Sequence, residues 1–391
     1  QFDGKFSVEN RYDYLNLNTC RFLWKQVKFP TATDTSNTTT QVLKEGEVQG
    51  SDVAAHSTGI LDIKTTILPN ADALFLTAID KYGHELWRWT FPVDKLNQTN
   101  EVFSPLSGKA TYSETENELT VKAKNHTFIF SKRDGQLKGV SVNNHKISFA
   151  NGPRFIGARR ADRSLDQFYN HDDEKAKEKD RTYSEFPDAA VFTKLEVKED
   201  GGNLIVTANY KLGNLDKAQW TINPNGEAAL DYTYNFSGVV DLIGISFDYP
   251  EDQVISKRWL GAGPYRVWQN RIHGTQYDVW ENDYNDPIPG ETFTYPEFKG
   301  YFDSVSWMNI RTKEGTISLT NETPDSYIGV YQPRDGRDRL LYTLPESGIS
   351  VLDVIPPVRN KVNSTDLCGP SSQPKWVNGP QTGRIIFRFM E

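Results

Sequence analysis

From Phe6 to Phe389 the sequence keeps returning to short runs in which apolar and polar residues alternate, and no stretch sustains a helical period. Phe22-Leu23-Trp24-Lys25-Gln26-Val27, Leu119-Thr120-Val121-Lys122-Ala123 and Arg384-Ile385-Ile386-Phe387-Arg388-Phe389 are typical. A period of about two turns one face of a strand to a core and the other to water, whereas a helix needs apolar residues about 3.6 positions apart. With no amphipathic helix to cover them, the sheets must cover each other. The expected fold class is all-β, with stacked sheets rather than a strand barrel ringed by helices.

The spacing of the runs divides the chain. Residues 1–95 carry strand signals at Phe6, Phe22, Ile60, Ala73 and Glu85, broken by Asn, Asp, Gly and Pro. That is the pattern of an immunoglobulin-like β-sandwich. Residues 96–107 are polar, close on Ser104-Pro105 and read as a linker. From 108 to 391 the strand signal resumes through Thr127, Leu137, Leu204, Ala218, Ala229 and Ile317, as one large two-sheet sandwich. The exception is 164–180, SLDQFYNHDDEKAKEKD, whose charge predicts a short surface helix or a mobile insertion.

Composition excludes several classes. A net charge of −8 and a pI near 5.4 argue against a nucleic-acid partner. No window approaches the roughly 18 consecutive apolar residues of a membrane-spanning helix. The N-terminal Gln1-Phe2-Asp3-Gly4-Lys5 lacks the basic start and apolar run of a signal peptide, so any export signal is expected to have been removed or to lie outside this stretch of chain. The two cysteines, Cys20 and Cys368, lie at opposite ends of the chain. Their positions favour free thiols over a disulfide, and no Cys/His cluster points to zinc or redox work.

The densest chemistry lies at 258–271, RWLGAGPYRVWQNR. A short apolar strand is expected to end at Trp259-Leu260, after which Gly261, Gly263 and Pro264 turn the chain and allow a close backbone approach. Tyr265, Arg266, Trp268, Gln269, Asn270, Arg271 and His273 follow, a mixture of aromatic faces, guanidinium groups and amides that suits a sugar. The competing reading is a surface loop whose aromatics cap a sandwich core. Further on, Glu281, Asp283 and Asp286 set acids at close spacing; they are weak candidates for Ca²⁺, because the EF-hand spacing and central glycine are missing. A solvated turn before Pro287 is the preferred reading, and no cofactor is expected.

Two stretches carry a family resemblance. Asn10-Arg11-Tyr12-Asp13-Tyr14-Leu15-Asn16-Leu17-Asn18 resembles the opening strand of the immunoglobulin-like domain that follows the catalytic barrel in glycoside hydrolase family 2 β-galactosidases. Residues 259–271 are similar to the W-x-G-x-G-P-x-E-x-Y-x-D-R signature of the last domain of those enzymes, a galactose-mutarotase-like β-supersandwich. Here Arg266 stands for the family's Glu, Trp268 for its Tyr and Asn270 for its Asp, while Arg271 is kept. The segment 154–163 keeps only Phe155 and Ala158 of a second family motif.

The resemblance implies a fold, and also what this stretch of chain leaves to others. The family's catalytic glutamates sit in a barrel, and the pattern here contains no alternating strand–helix units. The chain is then expected to be a non-catalytic C-terminal portion that supports such a barrel. The family's last domain also sends a loop to the rim of the barrel's sugar site. Its counterpart here is 368–376, CGPSSQPKW, which makes Trp376 the foremost carbohydrate contact, with Arg266, Trp268, Arg271 and His273 as further candidates. A periplasmic or secreted setting would suit such a part. Two alternatives remain open: a carbohydrate-binding module, and a self-sufficient epimerase or polysaccharide lyase using Tyr265, Arg258, Arg271 and His273.

Overall fold

A computed structural model describes residues 2–34, 39–93, 108–160, 183–283, 300–323, 325–331, 347–357 and 370–391. The expected linker, 96–107, and the charged segment 164–180 fall outside the described residues. Among the described residues the chain is all-β, as the alternation predicts. The other regular structure is three 3-10 turns, Leu17–Thr19, Glu251–Gln253 and Pro370–Ser372. No helix among them is long and apolar enough to cross a membrane.

Two compact units result. The first comprises Gln1–Asn100 with Gln276–Val279; the second comprises Glu101–Thr275 with Trp280–Glu391. The first holds β1 (Lys5–Asn10), β2 (Arg21–Lys28), β3 (Gln41–Gln49), β4 (Ser57–Asp62), β5 (Ala73–Ile79) and β6 (Glu85–Pro92). They form a four-stranded sheet, β3-β2-β5-β6, and a two-stranded sheet, β1-β4. In β2 the alternation reads directly as burial: Phe22, Trp24 and Gln26 face inward while Arg21 and Lys25 stay in water. Strand β5, the other inner strand of the four-stranded sheet, is buried almost throughout. Leu17, Phe22, Trp24, Val53, Leu61, Leu74 and Leu76 close the core, and Cys20 is a free, buried thiol among them.

The segment from Asn10 is not an opening strand, which corrects one expectation. Strand β1 ends at Asn10, whose buried side chain then organises a turn. Its Nδ2 donates to the carbonyls of Leu15 (2.8 Å) and Val53 (2.9 Å), and its Oδ1 accepts from the Tyr12 amide (3.0 Å). A buried asparagine that satisfies three backbone groups holds a loop in place of a ladder.

The second unit holds β7 (Thr111–Glu114), β8 (Glu118–Ala123), β9 (His126–Ser131), β10 (Leu137–Val142), β11 (His145–Ile147), β12 (Ala150–Arg160) and β13 (Tyr183–Glu185). Next come β14 (Val191–Asp200), β15 (Asn203–Lys211), β16 (Leu215–Ile222), β17 (Ala228–Val240), β18 (Leu242–Asp248), β19 (Val254–Gly263) and β20 (Gln276–Asp283), whose residues 276–279 are counted with the first unit. The last are β21 (Trp307–Thr312), β22 (Gly315–Asn321), β23 (Tyr327–Val330), β24 (Ile349–Val354) and β25 (Lys375–Met390). One sheet runs β23-β24-β18-β12-β10-β9-β8-β7, with β11 on β10 and β13 on β12; the other runs β14-β15-β16-β17-β25-β22-β21-β19-β20.

Their shared core is aromatic. Phe149 stacks on Phe247 at 4.6 Å, and Trp220, Phe387 and Phe389 pack around them. Each such fully buried ring contributes about 2–3 kcal/mol. Strand β25 is the spine of its sheet. It pairs with β17 from Ala228↔Phe387 to Val240↔Lys375 and so sets Trp376 opposite Val239 at one end.

Candidate functional site: the 258–273 segment and its loop

Strand β19 delivers the aromatic- and arginine-rich segment. It does not stop at Trp259-Leu260 but continues through Gly261 to Gly263, before a cis Gly263-Pro264 bond. The glycines do serve a close approach, and what approaches is protein. A Cβ on Gly263 would lie 2.5 Å from Cδ1 of Trp280, and one on Gly261 would lie 3.0 Å from Cα of Val305.

Beyond Pro264 the candidate side chains part company. Trp268 is fully buried, set edge-on to Tyr301 at 5.7 Å and 84°, among Ile156, Leu242, Val267 and Leu352. Arg266 is also buried, its guanidinium 5.9 Å from the centre of the Phe302 ring. Arg258 lies over Trp307 at 5.3 Å, likewise buried. Arg266 and Trp268, named above as sugar-contact candidates, and Arg258, named for the epimerase or lyase alternative, are all buried among protein side chains. A ring or guanidinium closed off by neighbouring side chains has no face left for a solute. The expectation for the loop as a cap on a sandwich core therefore describes Trp268 better.

Arg271 and His273 lie nearer the surface, the first half-buried and the second exposed. The Tyr265 hydroxyl donates to the His273 carbonyl at 3.4 Å. Burial pushes the Tyr265 pKa up, with the Arg271 charge opposing, so the phenol stays protonated at neutral pH and is no ready base. A tight turn holds this group together, the Arg271 amide donating to the Trp268 carbonyl at 2.8 Å.

The same turn anchors the C-terminal loop. Gln269 Nε2 donates to the Gln373 carbonyl at 2.7 Å, its amide donates to the Pro356 carbonyl at 3.1 Å, and Asn270 Nδ2 reaches Ser372 Oγ at 3.3 Å. Three residues beyond Gln373, Trp376 stands 68% exposed. Residues 368 and 369 of that loop lie outside the described residues. No local sequence signal announces these bonds, because the partners are 104 and 102 positions apart.

The acidic candidates do not assemble. Strand β20 alternates, exposing Glu281 and Asp283 and burying Asn282, and Asp286 lies outside the described residues. Among the described residues no group of three or more His, Cys, Asp or Glu side chains is placed to hold a metal ion. One acid that residue order did not reveal is Asp353 on β24. It accepts a short hydrogen bond from Tyr234 on β17, across the sandwich, and burial pushes its carboxyl above the usual range.

The family described as "Beta galactosidase small chain" matches residues 122–346, more than half of the sequence. The chain belongs to that family. The small-chain match covers most of the second unit, including β19 and the turn after it, and of the first unit takes in only Gln276–Val279. No curated protein sequence matches. Among solved structures, the galactose 1-epimerase of Lactobacillus acidophilus NCFM is 9% identical, covering 73% of this chain and 99% of its own, at a TM-score of 0.40. A putative mutarotase from Salmonella typhimurium is 10% identical, covering 74% of this chain and 96% of its own, at a TM-score of 0.34. At these values the overlaps say nothing about what the small-chain protein does.

Proposed function

We propose that this small-chain protein is the non-catalytic C-terminal portion of a β-galactosidase-like glycoside hydrolase of family 2, supporting a catalytic barrel and bordering its carbohydrate site. The observation that carries this reading is the pairing of the family match with an exposed Trp376 at the start of β25, just after a loop pinned by Gln269 and Asn270. A broad, rigid indole face suits the C–H groups of a sugar, and a pinned loop presents it at little entropic cost. Arg271 and His273 are the more accessible candidates in the 258–273 segment, whereas Arg266 and Trp268 are buried. A periplasmic or secreted setting goes with the same reading.

The test is kinetic. In an assembly that contains the barrel, Trp376→Ala raises KM for a β-galactoside several-fold and leaves kcat within about twofold, as loss of uniform binding does. An unchanged KM would remove Trp376 from the sugar site. Aldose epimerisation by the 391-residue chain alone would favour the self-sufficient alternative instead.

A further inference from the structure

The first unit leaves part of its interior uncovered. Among the described residues a four-stranded sheet is matched by a sheet of two strands, β1 and β4. Strands lie about 4.8 Å apart, so the narrower sheet spans roughly half the width of the wider one. Past β1, the apolar side chains of β6 stand open: Leu86, Trp89 and Phe91 are 46%, 41% and 37% exposed. Together with Leu76 they line a cavity of about 490 Å³ whose near wall is β1 itself. Phe6 of β1 rests on Phe91 at 4.8 Å, and a second apolar cavity of about 460 Å³ lies on the far side of that pair.

Strand β1 is paired on one side alone among the described residues. The Ile63 amide donates to the Gly4 carbonyl, and the register continues as Phe6↔Leu61, Val8↔Gly59 and Asn10↔Ser57. Even-numbered residues therefore turn their backbone groups toward β4, and those of Lys5, Ser7 and Glu9 turn to the open edge. The far edge of β4 is occupied differently, since Ser51 Oγ donates to the Ile60 carbonyl at 2.6 Å. An open edge above an apolar floor is a template for a further strand.

The side chains of β1 indicate which strand. Lys5, Ser7 and Glu9 are exposed, whereas Phe6 and Val8 are half-buried toward the groove. Let a second copy of β1 run antiparallel about a two-fold axis at Ser7. Lys5 of each copy then meets Glu9 of the other, Phe6 meets Val8, and the outward backbone groups of Ser7 and Glu9 and the Lys5 carbonyl face one another in hydrogen-bonding register; the Lys5 amide, which donates to Asp3 Oδ1 at 3.1 Å, exchanges that partner on pairing. A shift either way sets Lys5 or Glu9 against Ser7, and larger shifts set like charges together. Glu9 already touches Arg11 at 2.8 Å, but that pair is well exposed and holds it weakly.

We propose that β1 is a self-association edge, through which two copies of this chain pair β1 to β1 and cover the groove lined by Leu86, Trp89 and Phe91. One strand pair with an apolar flank buries less than a standard interface, so dissociation on the order of micromolar is expected. The reading concerns a second copy only and does not depend on the catalytic partner.

Sedimentation of the 391-residue chain from low to high micromolar concentration tests it. The wild-type chain is expected to shift from monomer to dimer. Lys5→Glu and Glu9→Lys each weaken the dimer about tenfold, because two cross-strand pairs turn from attraction to repulsion. Mixing the two variants restores dimers, since every cross-strand pair again joins opposite charges, and the double swap does the same within one chain. Both positions are exposed, so the thermal midpoints should be unchanged, which separates lost pairing from lost folding. A wild-type chain that stays monomeric, swaps that leave dimers untouched, or a mixture that fails to recover them would each overturn the proposal.

Discussion

The side-chain amide of Gln269 donates to the backbone carbonyl of Gln373 at 2.7 Å, joining the aromatic- and arginine-rich segment to the loop that leads into Trp376. Gln269 is buried, so the bond forms where water competes poorly. Replacing Gln269 with Ala should cost about 1–2 kcal/mol and quicken amide exchange around Gln373–Trp376 more than elsewhere. Exchange measured by mass spectrometry checks this; a uniform change across the sandwich would show that the bond does not hold the loop.

The two tryptophans of the candidate site should separate cleanly. Trp268→Ala leaves a hole beside Tyr301 and should cost about 3–5 kcal/mol. Trp376→Ala removes an exposed ring and should stay within about 0.5 kcal/mol of wild type. Denaturant midpoints decide it, and a small loss at Trp268 would return that ring to the list of surface contacts.

Gly263 should tolerate no side chain. A Cβ there falls 2.5 Å from Trp280, inside van der Waals contact, so Gly263→Ala should cost about 1–3 kcal/mol through overpacking. A neutral result in thermal unfolding would mean that the Trp280 ring shifts freely.

Asp353 predicts a slope in stability with pH. Burial holds its carboxyl above the usual range, against the Tyr234 hydrogen bond, so the folded chain keeps this proton more tightly than the unfolded chain. Its contribution is most favourable below about pH 4 and is lost as pH rises through the raised value. Asp353→Asn, whose amide oxygen still accepts from Tyr234, should flatten that slope and be the more stable form at neutral pH. Unfolding free energies across the acid range test this; an unchanged slope would assign it to other carboxyls.

Much of the fold was legible because alternation maps straight onto burial. In β8, Leu119, Val121 and Ala123 face inward while Glu118 and Lys122 do not, as their order in the sequence says. Strand β3, with Lys44, Glu45 and Gly46 at its centre, carries no such signal, because an edge strand buries little. In the candidate segment the turn after β19 was legible, but the direction of its side chains was not. Past Pro264 the backbone leaves the strand, the alternation loses its phase, and nothing local tells Trp268 to turn inward while Trp376 stays out. The anchors of the loop, and the Tyr234–Asp353 pair between the sheets, join residues more than a hundred positions apart. Such bonds are properties of the fold and not of any window of sequence.

The central claim is that this chain supports and borders a sugar site whose bond-breaking carboxyls lie on another stretch of polypeptide. Hydrolysis of an aryl β-galactoside, followed with the 391-residue chain alone and again with a barrel-bearing partner added, tests it most directly. The account predicts no turnover from the chain alone and turnover in the assembled form. Cleavage by the chain alone, abolished by replacing one of its own acids, would contradict it.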